Sequence, residues 1–459
     1  MTPGKIKQVF CIGLGGIGVS AVARMLLARG FEVSGSDPHR NPLVEDLIKL
    51  GVHYHTQENP ELITADCDLV IYTDDAGPTH PMRVRAEQLG LPTENFATTL
   101  GRLMGEYPTR LTVAGTNGKS KTTALIGLLL TNAGLDPTVF VGSRVAEFSG
   151  NIRLGRGDMF VAEADEYRDH YLNYHPTIGV ITNIEPDHLD YFKTSARLLA
   201  SFNIYVGLLP PDGQLVVNGD DPGIKKLAPR QNKTITFGFE SPADLQAINI
   251  IPAAGAQSWE ALWQGRSIGH YQISLPGRFN IMNCLAAMAG ALAVGAEPST
   301  FANTLKQFHG IWRRFQILNP GAPVTVINDY AHHPTAVKVT LAGARKFYPG
   351  RRIVAVFQPH HRSRLTALFD DFVTAFKSAD LAIMVKVYSV PGREVAEATT
   401  KTTRQLVDMV NRTQLAIYAD SIDQAELLLH DNIRAGDVVI IMGAGDIWQM
   451  AERLAKQYA

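Results

Sequence analysis

Six consecutive residues carry the strongest chemical signal in the chain. Gly115-Thr116-Asn117-Gly118-Lys119-Ser120 follows the apolar run Leu111–Gly115 and opens a helix-like stretch. Strand, glycine turn and helix start, in that order, make a phosphate loop. Backbone N–H groups face phosphate oxygens, and the helix N-terminus adds positive potential. Lys119 can reach the outer phosphates, and Ser120 can ligate Mg2+. The two glycines stand closer together than in the common phosphate-loop pattern. The competing reading is an ordinary strand-to-helix turn with a solvated lysine.

Two acidic patches also follow apolar runs: Glu163-Ala-Asp165-Glu166 and Asn183-Ile-Glu185-Pro-Asp187-His188. Strands of one parallel sheet would bring both to the edge that carries the phosphate loop. Carboxylates there repel a bare triphosphate and become ligands once Mg2+ lies between them. His188 alone would read as a surface or core histidine; beside a phosphate loop it reads as a metal partner. A third signal is Gly13-Leu-Gly15-Gly16-Ile17-Gly18, with Asp37 closing the next strand 24 residues after Gly13. That is the dinucleotide template: a tight turn, backbone approach to a pyrophosphate, and a carboxylate for a ribose. It needs only a pyrophosphate and a hydroxyl-rich sugar, so a UDP-sugar satisfies it as well as a nicotinamide cofactor. The fourth comprises Asp329-Tyr-Ala-His332-His333 and Gln358-Pro-His360-His361-Arg362-Ser-Arg364. These offer cationic donors for a carboxylate, with Arg364 best suited to a bidentate contact. Solvated loop residues are the alternative.

The elements that must position these groups alternate along the chain. Gln8–Ile12, Phe31–Asp37 and Cys67–Thr73 read as strands with helices between them. So do Leu111–Gly115, the runs MFVAEAD and IGVITN, GQLVVNGDDP and TITFGF, and then Val324–Asp329, Ile353–Gln358, Leu381–Val387 and Asp437–Gly443. Gln246–Leu275 reads as short antiparallel strands. Apolar strands alternating with helices predict parallel sheets covered on both faces. The 459 residues, at roughly 150 per domain, predict three α/β domains, each built on a mostly parallel, Rossmann-like sheet, the central one of P-loop ATPase type. The expected boundaries are 1–108, 109–318 and 319–459.

Composition narrows the partners. Charges sum to 43 − 44 = −1, so no bulk field selects nucleic acid. Cys11, Cys67 and Cys284 fit no metal or disulfide spacing and read as buried thiols. The N-terminus lacks the pattern of a signal peptide. The charge-free runs Gln8–Ala23 and Phe279–Ala296 read as packed elements rather than membrane spans. The expectation is a cytoplasmic protein without membrane insertion, a monomer or homodimer.

Taken together, the motifs resemble those of the Mur ligases, the amide-forming enzymes of bacterial peptidoglycan synthesis. GLGGIGVSA with VSGSD, AGTNGKSKTT, VAEADE, TNIEPDHLD, PGRFNIMN, RRFQ, DYAHHPT, FQPHHRSR and GAGDI occur in family order along the whole chain. The resemblance is strongest to the alanine-adding members. It implies ATP-dependent joining of L-alanine to the lactyl carboxylate of UDP-N-acetylmuramate through an acyl phosphate. It also implies a UDP-sugar domain over 1–108, an ATP domain over 109–318, an amino-acid domain over 319–459, and roles for their residues. Lys119 and Ser120, with Gly115, Thr116, Asn117 and Gly118, would hold triphosphate and Mg2+. Glu163 and His188 would ligate Mg2+. Asn280 and Asn283 would face adenine, with Arg314 and Asp329 near phosphate and ribose. Gly15, Gly16, Ile17, Gly18 and Asp37 would hold the UDP moiety, and His332 and Arg364 the amino acid's carboxylate.

Departures from the family pattern are Asn117, Ser120 and Lys121 in the phosphate loop, Phe279 beside the adenine site, Tyr167-Arg168 after the acidic motif, and His361-Arg362 near the amino-acid pocket. The absence of lysine from Arg197–Gly207 fits the muramate-accepting branch. The runner-up is a ligase that attaches a whole tripeptide to UDP-N-acetylmuramate. An NAD-dependent oxidoreductase would leave the phosphate loop unexplained. A non-catalytic nucleotide-binding partner would leave the C-terminal His/Arg loop unexplained.

Overall fold

In the computed structural model, residues 7–228, 232–240, 242–388 and 401–459 are described. The first sheet has the strand order His53–His55, Glu32–Ser36, Gln8–Ile12, Leu69–Tyr72, Thr93–Asn95. All its pairings are parallel. The apolar runs QVFCI and LVIY occupy the middle, where helices cover both faces. The two outer strands have three residues each and no apolar run, so periodicity alone does not announce them.

The second sheet has ten strands, in the order Arg266–Ile273, Ala256–Trp263, Leu245–Ala253, Lys233–Gly238, Gln214–Asn218, Ile178–Ile181, Thr109–Ala114, Met159–Glu163, Thr138–Val145, Gly150–Arg153. From Leu245–Ala253 to Thr138–Val145 the pairings are parallel. The last pair is an antiparallel hairpin. The strands within 246–275 run to eight or nine residues, longer than expected. Their partly polar, half-exposed faces blur the alternation by which strand length is read.

The third sheet runs Gln316–Ile317, Thr325–Asp329, Val438–Met442, Ile353–Phe357, Leu381–Val385, Ala416–Ala419. It is parallel except for its first pair. Three of its four central strands, Val438–Met442, Ile353–Phe357 and Leu381–Val385, are apolar runs buried along their length, and the fourth ends in Asn328 and Asp329.

The chain divides into two compact units. One comprises Met1–Ile248, Glu260–Gly269 and Met282–Thr304; the other comprises Asn249–Trp259, His270–Ile281 and Leu305–Ala459. In the first unit a single buried cluster runs from Val22 and Leu26 through Leu100 and Leu103 to Phe160, Tyr171 and Phe202. The five-stranded sheet and the phosphate-loop region thus share a core. The three cysteines are free and buried. Among the described residues, no helix is long and apolar enough to cross a membrane. Gln8–Ala23 splits into a strand and a helix start, and Phe279–Ala296 lies mostly in the helix Arg278–Ala293.

Candidate active site

The phosphate loop links the strand Thr109–Ala114 to the helix Lys119–Asn132. Gly118 stands at the helix start with φ +86°, and a Cβ there would strike the Asn283 amide. Only glycine meets both demands. The loop is braced from the neighbouring strand end. The Asn117 N–H donates to Asn183 Oδ1 (2.9 Å), and Asn183 Nδ2 returns a bond to the Asn117 carbonyl (2.9 Å). Thr116 Oγ1 donates to the Glu185 carbonyl (3.0 Å), and Asn117 Nδ2 to Glu185 Oε2 (3.3 Å). Gly115 sits buried against Thr182. The Asn183–Glu185 motif, expected beside a metal, therefore shapes the loop.

Lys119 and Ser120 leave the loop toward the carboxylates that end the strand Met159–Glu163. Ser120 Oγ donates to Glu163 Oε1 (2.8 Å), and the Gly142 N–H to Glu163 Oε2 (2.5 Å). Burial pushes the Glu163 carboxyl up, against the pull of Lys119. Lys119 Nζ lies 2.6 Å from Glu166 Oε2 and 3.6 Å from Asp165 Oδ1. Burial works against the ammonium, but these carboxylates outweigh it and raise its pKa. Glu166 is fully buried, which raises its own pKa, and its Oε1 has no hydrogen-bond partner among the described residues. Asp165, Glu166 and His188 each bring a ligand atom within 4.8 Å of the others. Two oxygen-rich donor groups thus flank one lysine. Hard carboxylate and hydroxyl oxygens suit Mg2+.

In the first sheet, Asp37 turns back on the glycine loop. Its Oδ2 accepts from the Gly15 N–H (2.9 Å) and its Oδ1 from the His39 N–H (2.8 Å). Asn41 Nδ2 donates to the Gly15 carbonyl (2.9 Å). Gly16 precedes the helix Ile17–Ala28, the Ile17 carbonyl accepts from Asn151 Nδ2 (2.5 Å), and Gly18 sits where a Cβ would strike the Phe96 ring.

The second unit holds the remaining candidates. Asp329 accepts from the Ala331 N–H (2.7 Å) and the Phe315 N–H (2.7 Å), so it fixes two turns. Arg314 is exposed. Its neighbour Arg313 is buried, donates to the Gly443 carbonyl and lies 4.7 Å over the Tyr330 ring. Burial lowers its pKa to about 10. His332 Nδ1 is 2.8 Å from the Tyr330 carbonyl. His360 stacks on Tyr388 and meets His361 edge-on. Burial, then His361, pushes His360 down to about 4, and burial also lowers His332. Both shifts favour the neutral ring in His332 and His360. Arg364 Nη1 is buried without a hydrogen-bond partner among the described residues. Asn280 is buried and donates to the Pro276 carbonyl (2.6 Å).

Three family models match: Mur ligase family, catalytic domain, over 8–108; Mur ligase middle domain over 113–291; and Mur ligase, glutamate ligase domain, over 313–445. A UDP-N-acetylmuramate–L-alanine ligase of Alkaliphilus metalliredigens is 37% identical over 98% of this chain and 97% of its own. One from Caldanaerobacter subterraneus is 36% identical over 99% and 98%. The crystal structure of the UDP-N-acetylmuramate–alanine ligase of Thermotoga maritima superposes with a TM-score of 0.82 at 27% identity, covering 98% of this chain and 99% of that one. The chain belongs to the Mur ligase family. It is an ATP-dependent ligase with three α/β domains.

In this Mur ligase the first unit brings together Gly115–Ser120, Glu163, His188 and Asn283, with Asn283 against Gly118. It also carries Gly15, Gly16, Ile17, Gly18 and Asp37. The second unit carries Asn280, Arg314, Asp329, His332 and Arg364. Sequence reasoning missed Glu166 as the partner of Lys119, and Arg313 as the buried member of the arginine pair. The signal for Glu166 was present: a third acidic residue just past a buried strand. Nothing in Arg-Arg says which of the two turns inward.

Proposed function

We propose that this ligase joins L-alanine to the lactyl carboxylate of UDP-N-acetylmuramate in peptidoglycan precursor synthesis. The observation that carries the reading is a phosphate loop whose Lys119 faces buried Glu166, in a chain similar to alanine-adding ligases along its whole length. The division into 1–108, 109–318 and 319–459 belongs to the same proposal. So do a cytoplasmic location, where ATP and nucleotide sugars are made, and a monomer or homodimer.

A carboxylate oxygen of the muramoyl group attacks the γ-phosphorus of ATP. The P–O bond to ADP breaks, and an acyl phosphate forms. Lys119 offsets the charge spread over the transferring phosphoryl. The neutral α-amine then attacks the acyl carbon, inorganic phosphate leaves, and the amine proton passes to a base. His188 and His332 are the candidates; burial favours the neutral His332 ring, which can accept. Ser120, Glu163 and His188 would hold Mg2+, which when bound supplies positive charge and orients the phosphates. Gly115, Thr116, Asn117 and Gly118 cradle the triphosphate. Asn280 and Asn283 serve adenine, and Arg314 and Asp329 the ribose and phosphate. Gly15, Gly16, Ile17, Gly18 and Asp37 hold UDP. Arg364 places the amino acid's carboxylate; His332, neutral and with Nδ1 on the Tyr330 carbonyl, offers only an acceptor there and so serves as a base rather than as a carboxylate donor. Most of the acceleration is positioning plus fixed positive potential.

The test is phosphate release from ATP with Mg2+ and UDP-N-acetylmuramate, given L-alanine, glycine, the L-Ala-γ-D-Glu-diaminopimelate tripeptide, or no amine. Release with L-alanine is expected. Release with the tripeptide alone would replace this reading by the tripeptide-attaching one.

A further inference from the structure

Tyr167 and Arg168 follow the acidic motif where the family pattern differs, and the mechanism above gives them no task. Their loop joins the two ligand edges of the first unit. At one end Glu166 holds Lys119. Next, the Tyr167 ring lies 4.8 Å from the His188 ring. At the far end His170 Nε2 is 2.6 Å from Asp74 Oδ2, and its ring meets Phe96 edge-on at 5.1 Å. Phe96 is the ring against which Gly18 packs. The segment thus spans from the phosphate loop to the glycine loop.

Arg168 stands midway along it. It is exposed and sits in left-handed backbone, φ +52°, and Asp169 follows at φ +57°. Consecutive non-glycine residues there are strained and persist only where their surroundings over-determine them. Here the surroundings do: Asp169 accepts from Tyr191 Oη (2.6 Å) and from Ser201 Oγ. The guanidinium lies over the Tyr167 ring at 5.5 Å. It hydrogen-bonds the Asp74 carbonyl at 3.4 Å and the Tyr167 side chain. No carboxylate forms an ion pair with it among the described residues. A strained, braced turn therefore presents an exposed cation, near Asp74 and Asp75 but ion-paired to neither, between two anion sites.

The proposed substrate must cross this gap, with its diphosphate at one edge and its carboxylate reaching toward Lys119. We propose that Arg168 binds that carboxylate, orienting its oxygens and offsetting its repulsion from the triphosphate. A planar guanidinium suits both tasks. The inference rests on the proposed function and adds a substrate-binding residue to it.

The test compares UDP-N-acetylmuramate with UDP-N-acetylglucosamine, the same sugar nucleotide without the lactyl carboxylate, by calorimetric titration. The variant is Arg168→Asn, because asparagine tolerates left-handed backbone while removing the charge. About tenfold weaker binding of UDP-N-acetylmuramate is expected, as for loss of one charge-assisted hydrogen bond, with UDP-N-acetylglucosamine unchanged. Unchanged binding of that ligand also reports an intact fold. Arg168→Lys is expected to restore part of the loss. Equal losses on both ligands would move Arg168 to the diphosphate and overturn the assignment. An undiminished preference for UDP-N-acetylmuramate in Arg168→Asn would overturn it outright. If the parent protein itself shows no such preference, the substrate reading falls and takes Arg168 with it.

Discussion

Lys119 is held between Glu166 and Asp165, so its ammonium is oriented before any nucleotide arrives. A buried charge is tolerable only when paired, and here Glu166 serves as the buried partner. His332 and His360 of the second unit are shifted in the opposite sense. Folded His360 takes up a proton only near pH 4, whereas an unfolded imidazole does so near about 6.5. Between those values the unfolded chain binds more protons, so stability falls as pH drops through that window. The melting temperature is expected to fall between about pH 7 and pH 5. His360→Asn is expected to flatten that fall, as differential scanning fluorimetry across the range would read.

At the scale of elements, the phosphate loop depends on a helix start that no side chain caps and on a neighbouring strand end that braces it. Gly118→Ala would force a non-glycine residue into left-handed backbone, at about 1–2 kcal/mol, and press its methyl on Asn283. The apparent KM for ATP is expected to rise about tenfold, the equivalent of about 1.4 kcal/mol, with the far-UV spectrum unchanged. The central strands were legible because buried parallel strands are written as unbroken apolar runs: QVFCI, LVIY, IVAVF. Edge strands such as His53–His55 and Ala416–Ala419 were not. They have three or four residues each, too few for a periodicity to be read, so their pairing comes from a neighbour's free edge rather than from their own pattern.

Across the molecule, the glycine loop and the phosphate loop are separate edges within one unit, linked by a shared core and by the loop 165–170. Loss of one site is not expected to empty the other. Lys119→Ala is expected to abolish phosphate release while leaving UDP-N-acetylmuramate affinity within about twofold of the parent, as isothermal titration would read. Joint loss would mean that the ammonium also holds the first unit together, as a buried pair can.

The sequence by itself determined which groups are present and on which kind of element they stand. A glycine turn between strand and helix, acidic residues past apolar runs and a His/Arg loop are local patterns, set by backbone conformation and periodicity. Only the tertiary structure decided which group faces which. It turned Asp37 onto Gly15, gave Asn183 and Glu185 the work of bracing the phosphate loop, set Glu166 rather than Glu163 against Lys119, and buried Arg313 instead of Arg314. Partners 47 residues apart, such as Lys119 and Glu166, meet because sheet order brings strand ends together. No local spacing encodes that.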